Sequence, residues 1–195
     1  MTNVGVLALQ GDVAEHQAML AASGANPSLV KRADQLDQLD GLIIPGGEST
    51  TIGKLLRRFD LLEPLRGRVR AGFPVFGTCA GMILLADRVE DAATDQPTIG
   101  GMNITVLRNA FGRQRESFET DLFVPSMGDE PLHAVFIRAP LITQVGDGVN
   151  VLASLADGRT VAAQQDNLLV ASFHPELTGD SRLHRYFVNM VRERS

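Results

Sequence analysis

The single cysteine of the chain, Cys79, lies in the sequence Gly-Thr-Cys-Ala-Gly, between two apolar runs. A nucleophile with a glycine two residues to each side, placed between a strand and a helix, is typical of a nucleophile elbow, a sharp turn that exposes the reactive side chain. The helix that follows favours a thiolate, and the N–H of Ala80 would be available to stabilise an oxyanion. The pattern predicts a catalytic nucleophile, with a structural cysteine in a tight turn as the alternative.

A base for this nucleophile is predicted at His174, which follows an apolar run and precedes Pro175 and Glu176. Pro175 fixes the backbone, and residues two apart in an extended segment face the same side. Glu176 can therefore orient the imidazole and leave its other nitrogen for the cysteine. A surface His-Pro turn is the alternative. The remaining histidines are not expected in the site, and the first and last of them are expected on solvated helix surfaces: His16, His133 and His184.

The elements that must position these residues alternate regularly in the first half of the sequence. Continuous apolar strands separated by helices predict βαβ units and a parallel sheet with helices on both faces. The predicted strands cover residues 4–9, 29–30, 41–44 and 74–77. The predicted helices begin near residues 13, 49, 61 and 80.

The second half of the sequence has a different pattern, in which short predicted strands are separated by turns. Strands are predicted over residues 100–107, 133–138, 149–154, 160–164 and 168–173, and a last helix over residues 181–194. Residues 111–130 are the least regular stretch and are expected to form a long functional loop. Together the two halves predict one α/β domain over residues 1–195. Its fold is a flavodoxin-like open, mostly parallel sheet with helices on both faces, plus a small antiparallel extension in the second half.

Composition excludes several classes of protein. The 195 residues are 44% apolar and carry a net charge of −5 with acids and bases interspersed, which leaves no electrostatic footprint for nucleic acid. No apolar run approaches the roughly 20 residues needed to cross a bilayer, and the N-terminus does not resemble a signal peptide. With one cysteine the fold has no internal disulfide. We expect a cytoplasmic protein that needs no metal and no cofactor.

The motifs around Cys79 and His174 resemble those of the triad glutamine amidotransferases, also called class I glutaminases. In that family a Pro-Gly-Gly loop, here at residues 45–47, supplies a second oxyanion donor. The resemblance is closer to one branch, the glutaminase subunits of pyridoxal 5′-phosphate synthase. The segments that carry it run from the first predicted strand to the last helix: residues 7–12, 45–52, 108–114, 117–119, 136–140 and 174–178.

This resemblance implies an activity and a partner. The chain would release ammonia from L-glutamine through Cys79, His174 and Glu176. It would then pass the ammonia to a separate (β/α)₈-barrel synthase subunit, which builds pyridoxal 5′-phosphate from a pentose phosphate and a triose phosphate. The resemblance also implies weak activity for the lone subunit, because a freely running glutaminase would waste glutamine.

The resemblance also assigns the remaining site residues. Arg108 would pair with the substrate carboxylate, for which a guanidinium offers a two-pronged match. A plain helix N-cap is the alternative for Ser49, and a solvated side chain is the alternative for Arg138. The substrate-binding residues implied are Gly47, Glu48, Ser49, Arg108, Ile137 and Arg138. The oxyanion hole implied is formed by the backbone of Gly46, Gly47 and Ala80, with Gln10 nearby.

Two other functions are open at this point. A cysteine peptidase or stress-type hydrolase on the same sheet shares the cysteine elbow, but it would lack the Gly-Gly-Glu-Ser segment at residues 46–49 and the His-Pro-Glu segment at residues 174–176. A catalytically silent regulatory or binding module would keep the fold without the chemistry. The presence of cysteine, histidine and glutamate together argues against it.

Overall fold

The centre of the molecule is a mixed sheet of ten strands, seen in a computed structural model that describes residues 1–110 and 117–194. The strands in these ranges are β1 (Asn3–Leu7), β2 (Asn26–Val30), β3 (Gly41–Ile44), β4 (Val75–Thr78), β5 (Ala86–Glu90), β6 (Met102–Leu107), β7 (Ser117–Leu122), β8 (Leu132–Ile137), β9 (Leu141–Val145), β10 (Asn150–Ser154), β11 (Thr160–Gln165) and β12 (Leu168–Ala171). The α-helices are α1 (Val13–Ala22), α2 (Ser49–Arg58), α3 (Leu62–Arg70), α4 (Ala80–Leu85) and α5 (Arg182–Arg192). None of these helices is long and apolar enough to cross a membrane.

The parallel half of the sheet positions the predicted site. Its strand order is β2-β1-β3-β4-β12, and all four pairings are parallel. The register sets Gly77 beside Ile44 and Thr78 beside Ala171. The carboxyl ends of β3, β4 and β12 therefore meet at one edge, where open α/β sheets carry their sites.

The other half of the sheet is mainly antiparallel. Strand β11 pairs antiparallel with β12, β10 and β9, and β6 pairs antiparallel with β9 and parallel with β5. Strands β7 and β8 form a separate two-stranded sheet. The predicted fold class, an open and mostly parallel sheet with an antiparallel extension, is confirmed.

The core consists of two apolar layers, one on each face of the sheet. Alternate residues of a strand enter opposite layers because successive side chains point to opposite faces. Leu42 and Ile44 pack with buried residues of α2, α3 and α4, whereas Ile43 and Phe76 pack with those of α1 and α5. The helices thus cover both faces, as the continuous apolar strands predicted.

The structure differs from the prediction around the expected long loop. Residues 117–122, within that stretch, form β7 instead, and residues 111–116 lie outside the described residues. Strand β7 alternates exposed and less exposed residues and pairs with β8, where the rings of Phe118 and Phe136 stack with centroids 4.5 Å apart. Strands β5 and β9 were also not predicted, because much of each is exposed and lacks a continuous apolar run.

We expect Phe187→Ala to lower the free energy of unfolding by about 3–5 kcal/mol, because it leaves a cavity in a packed layer. Phe187 is fully buried, and its ring lies 5.7 Å from that of Phe76, which joins α5 to β4. Urea unfolding followed by circular dichroism measures the change. Phe59→Ala, at a position 49% exposed, is the control and should change stability by less than about 1 kcal/mol. Equal losses in the two variants would contradict this account of the core.

Candidate active site

The turn at Cys79 has the geometry of a nucleophile elbow. Cys79 lies between the end of β4 and the start of α4, with φ 48° and ψ −102°, a conformation that is costly for a residue with a Cβ. A Cβ on Gly81 would collide with the carbonyl oxygen of Ile44, and one on Gly77 would collide with the backbone of Gly81. The two glycines therefore allow strand and helix to approach closely enough to present the sulfur at the sheet edge.

His174 follows β12 and faces the same edge. Its backbone N–H donates to the carbonyl oxygen of Val135 at 2.8 Å, which ties the segment to β8. Its Nδ1 lies 2.7 Å from Oε1 of Glu176. Burial alone would lower the pKa of His174, but its hydrogen bonds with Cys79 and Glu176 raise that pKa to about 10. At neutral pH the ring is therefore held as an imidazolium beside the sulfur.

Glu176 is 4% exposed and lies in a short 3₁₀ helix that begins at Pro175. Burial raises the pKa of its carboxyl group, and the hydrogen bond with His174 offsets part of that rise. Because Oε1 accepts from Nδ1, the other ring nitrogen is left for the nucleophile. The structure thus brings the three residues predicted from the sequence together in one hydrogen-bonded group.

The glycine loop after β3 closes over the triad. A Cβ on Gly46 would overlap the His174 ring, so only glycine allows the backbone to pass this close. The Gln10 side chain accepts a hydrogen bond from the N–H of Glu48 at 3.0 Å and fixes the far end of the loop. On the opposite side, Ala80 is the first residue of α4, and its N–H has no partner within the helix. These backbone groups flank the sulfur where an oxyanion would form.

A cleft of about 540 Å³ opens onto the sulfur. All six residues that the sequence assigned to substrate binding line it, and three residues that the sequence did not assign join them: Asp12, Ile83 and Asn109. Among the described residues, the lining of the cleft is Asp12, Gly47, Glu48, Ser49, Cys79, Ile83, Arg108, Asn109, Ile137, Arg138 and His174. The volume of the cleft suits a small polar molecule.

Opposite charges face each other inside this cleft. Arg108 Nη2 lies 3.1 Å from Glu48 Oε1, and only 17% of the arginine side chain is exposed. Partial burial opposes ionisation of Glu48, but hydrogen bonds from Thr51 and Thr50 lower the pKa of its carboxyl group below the usual value. The cleft therefore offers an anion and a cation side by side, the complement of a zwitterion.

The cap of α2 is Glu48 and not Ser49. The Glu48 carboxylate accepts from the backbone N–H groups of Thr50 and Thr51. Ser49 is 3% exposed, and its Oγ accepts from Nε2 of Gln96 at 3.1 Å. The Ser49 hydroxyl is thus fixed in the wall of the cleft, and the N-cap alternative for this residue is wrong.

One group of residues in the described ranges has the spacing of a metal site: Asp12, His174 and Glu176 have ligand atoms within 4.8 Å of one another. Asp12 Oδ2 lies 3.4 Å from His174 Nδ1, and its side chain makes no capping hydrogen bond to α1. A metal ion here would displace the 2.7 Å hydrogen bond between His174 and Glu176. In the structure, His174 Nδ1 and Glu176 Oε1 are therefore already paired with each other.

The expectation that His16 and His184 lie on solvated helix surfaces is wrong. Both side chains are completely buried and lie behind the triad. A hydrogen bond between the two rings, and one between His16 and Thr78, compensate the loss of water. The signal in the sequence was helical spacing: His16 precedes the buried Leu20 by four residues, and His184 precedes the buried Phe187 by three.

Comparison with known proteins identifies a family for this chain. Residues 6–193 match the model of the SNO glutamine amidotransferase family. A protein of Parafrankia sp. (strain EAN1pec), named pyridoxal 5′-phosphate synthase subunit PdxT, is 62% identical over 189 residues, which are 97% of this chain and 93% of that protein. A protein of the same name from Nocardia farcinica (strain IFM 10152) is 58% identical over 97% of this chain and 85% of its own length.

Solved structures show the same fold. A crystal structure described as glutamine amidotransferase superposes with a TM-score of 0.90 at 49% sequence identity, and the match covers 97% of this chain and 98% of that one. PurLQS from Thermotoga maritima is 18% identical, with a TM-score of 0.68 over 100% of this chain and 99% of the other. The second likeness shows the shared fold alone.

We expect Gly46→Ala to slow alkylation of Cys79 by iodoacetamide about 10²-fold at neutral pH. The new methyl group must turn His174 away from the sulfur, and a displacement of about 1 Å in a catalytic geometry has effects of that size. Labelling rates are measured by mass spectrometry. Gly67→Ala is the matched control, because a Cβ there meets no atom within 4 Å. An unchanged rate in Gly46→Ala would contradict the close approach of loop and imidazole.

Proposed function

The chain belongs to the SNO glutamine amidotransferase family, and from that membership we propose that it hydrolyses L-glutamine at Cys79. The ammonia released would supply the synthesis of pyridoxal 5′-phosphate. The observation that carries the proposal is the buried chain of Cys79, His174 and Glu176 at the floor of a cleft with paired charges. The names of the relatives support the destination of the ammonia.

Acylation begins with the thiolate of Cys79, which His174 holds by its positive charge. The sulfur attacks the side-chain amide carbon of glutamine, and the electron pair of the carbonyl moves onto oxygen. The N–H of Ala80 and the backbone of Gly46 and Gly47 stabilise this oxyanion. His174 then gives its proton to the amide nitrogen, the C–N bond breaks, and ammonia leaves a glutamyl thioester.

Deacylation uses the same groups in reverse. His174, now neutral, takes a proton from water, which attacks the thioester carbon. A second oxyanion forms in the same position and collapses with loss of the sulfur. Glutamate leaves, and the thiolate and imidazolium are restored. Oε1 of Glu176 accepts the hydrogen bond from Nδ1 of His174 throughout, so the other ring nitrogen, Nε2, acts in both steps.

The paired charges of the cleft suit the far end of the substrate. Glutamine carries an α-carboxylate and an α-ammonium group, and we assign the first to Arg108 and the second to Glu48. Without substrate the two side chains neutralise each other at 3.1 Å. Ser49, Ile137 and Arg138 complete the wall. A peptide bond inside a chain lacks both charges, so this arrangement favours free glutamine over a peptidase substrate.

The synthase partner extends this proposal. Relatives named as subunits of pyridoxal 5′-phosphate synthase support assembly with a synthase subunit. We further propose that this subunit is a (β/α)₈ barrel, that ammonia passes to it directly, and that it combines ammonia with a pentose phosphate and a triose phosphate. Two further expectations from the sequence stay predictions: that residues 1–195 form a single domain, and that the protein is cytoplasmic.

The test of the function is glutaminase activity with and without the cognate synthase subunit. We expect wild-type chain to release glutamate and ammonia, and release to increase when the synthase is present. Cys79→Ala should reduce release to background because no other thiol is available. Undiminished turnover in Cys79→Ala would exclude the chemistry. Lack of stimulation by the synthase would exclude the partner and leave the chemistry standing.

We expect Arg108→Ala to raise KM for glutamine about 10-fold or more with a smaller change in kcat. A hydrogen bond to a charged group contributes about 1.5–3 kcal/mol, and here it acts on a part of glutamine that does not react. Steady-state kinetics with the synthase bound measures both constants. Arg159→Ala, which removes an ion pair with Asp157 in a surface turn, is the control. Loss confined to kcat would contradict the binding role of Arg108.

A further inference from the structure

Two completely buried histidines stand directly behind the acid of the triad. His16 on α1 and His184 on α5 both have 0% exposure. Nδ1 of His16 lies 2.9 Å from Nε2 of His184. Nε2 of His16 lies 3.1 Å from Oγ1 of Thr78 and 3.5 Å from Oε2 of Glu176. Burial of two polar rings costs free energy unless the rings are hydrogen-bonded, so their partners indicate what the pair does.

Both rings are neutral at neutral pH. Burial, with the nearby rings of His184 and His174, holds the pKa of His16 well below 6.5, and burial lowers the pKa of His184 to about 4. A neutral imidazole has one N–H donor and one acceptor nitrogen. The pair can therefore be arranged in only two ways, depending on which ring donates to the other.

One arrangement fits the surroundings and the other does not. If His16 donated to His184, the Nδ1–H of His184 would be a buried donor, and this atom has no hydrogen-bond partner among the described residues. The lone pair of His16 Nε2 would then also face the carboxylate of Glu176. If His184 donates to His16 instead, His184 Nδ1 carries a lone pair and no hydrogen, and an unpaired acceptor is tolerated better in the interior than an unpaired N–H. His16 Nε2 then carries an N–H and no longer turns a lone pair toward the carboxylate. The N–H of His16 Nε2 then points toward Thr78 and Glu176.

The oxygen that receives this N–H is otherwise isolated. Oε1 of Glu176 is engaged by His174, whereas Oε2 is buried and has no hydrogen-bond partner in the described part of the chain. At 3.5 Å the His16 N–H acts on Oε2 as an oriented dipole, and in a site shielded from water such dipoles are strong. Among the described residues, His174 and the backbone N–H of Glu176 favour the charge of the Glu176 carboxylate, and Asp12 opposes it. The N–H of His16, 3.5 Å from Oε2, is oriented to favour that charge as well.

We propose that His16, oriented by His184, is a positioning residue that holds the second oxygen of Glu176 so that the first stays on His174. The inference rests on the proposed chemistry at Cys79. His16 touches neither substrate nor sulfur and acts through Glu176 alone. Because the dipole favours the carboxylate, its loss raises the pKa of Glu176 further, and the acid is then protonated at a higher pH.

The test replaces His16 in the full chain and measures kcat with the synthase bound. It also measures the pH dependence of Cys79 alkylation in the chain alone. We expect His16→Leu to lower kcat about 10-fold or more with little change in KM, and to move the acid limb of both pH profiles to higher pH. His16→Gln restores a donor near the position of Nε2 and should recover most of both effects. His184→Leu, which removes only the group that orients His16, should shift the profiles in the same direction by less.

His133→Gln is the control, since His133 is an exposed histidine bonded to Glu119 and Asp121 on β7. It should leave kcat and both profiles unchanged. A folded His16→Leu chain with wild-type profiles would overturn the inference. A His16→Leu chain with a low kcat and an unshifted pH profile would also overturn it if the His16→Gln substitution did not restore kcat. If His16→Leu does not fold, His184→Leu carries the same test. Wild-type chain without glutaminase activity would instead refute the proposed function, and the alkylation profiles would still decide the role of His16.

Discussion

The 2.7 Å hydrogen bond between His174 Nδ1 and Glu176 Oε1 is the interaction on which the rest of the site depends. It fixes which ring nitrogen faces Cys79, and it places a negative charge where it can stabilise an imidazolium. Such a buried charge is itself costly. The surrounding structure compensates it with the imidazolium on one side and, as we infer, with the dipole of His16 on the other.

The backbone geometry around this pair leaves little freedom. The edges of β3, β4 and β12 converge so closely that side chains are excluded at Gly46 and Gly81. Cys79 accepts an unfavourable φ of 48° as a consequence. Strain of this kind persists only where the packed layers around it over-determine the conformation. The two apolar layers on the faces of the sheet therefore contribute to the site, because their packing maintains the strained backbone conformation of Cys79.

Much of this arrangement could be predicted from local patterns. The parallel strands are continuously apolar, glycines mark the elbow and the loop, and the spacing of His174 and Glu176 is short enough to interpret without a structure. Strands β7 and β9 could not be found in this way, because they are half exposed and depend on pairing with distant strands. Helical spacing marks the buried face on which each of His16 and His184 lies, but the contact between the two rings joins residues 168 positions apart. Nothing local to either residue records that contact.

The proposed mechanism requires a covalent glutamyl intermediate on Cys79, and trapping that intermediate is the sharpest test of it. Wild-type chain with its synthase subunit is mixed with isotopically labelled glutamine and quenched in acid during turnover, and its peptides are analysed by mass spectrometry. Label should appear as a thioester on the peptide that contains Cys79, and none should appear in the Cys79→Ala chain. Steady release of glutamate with no label on Cys79, or label on another residue, would contradict it.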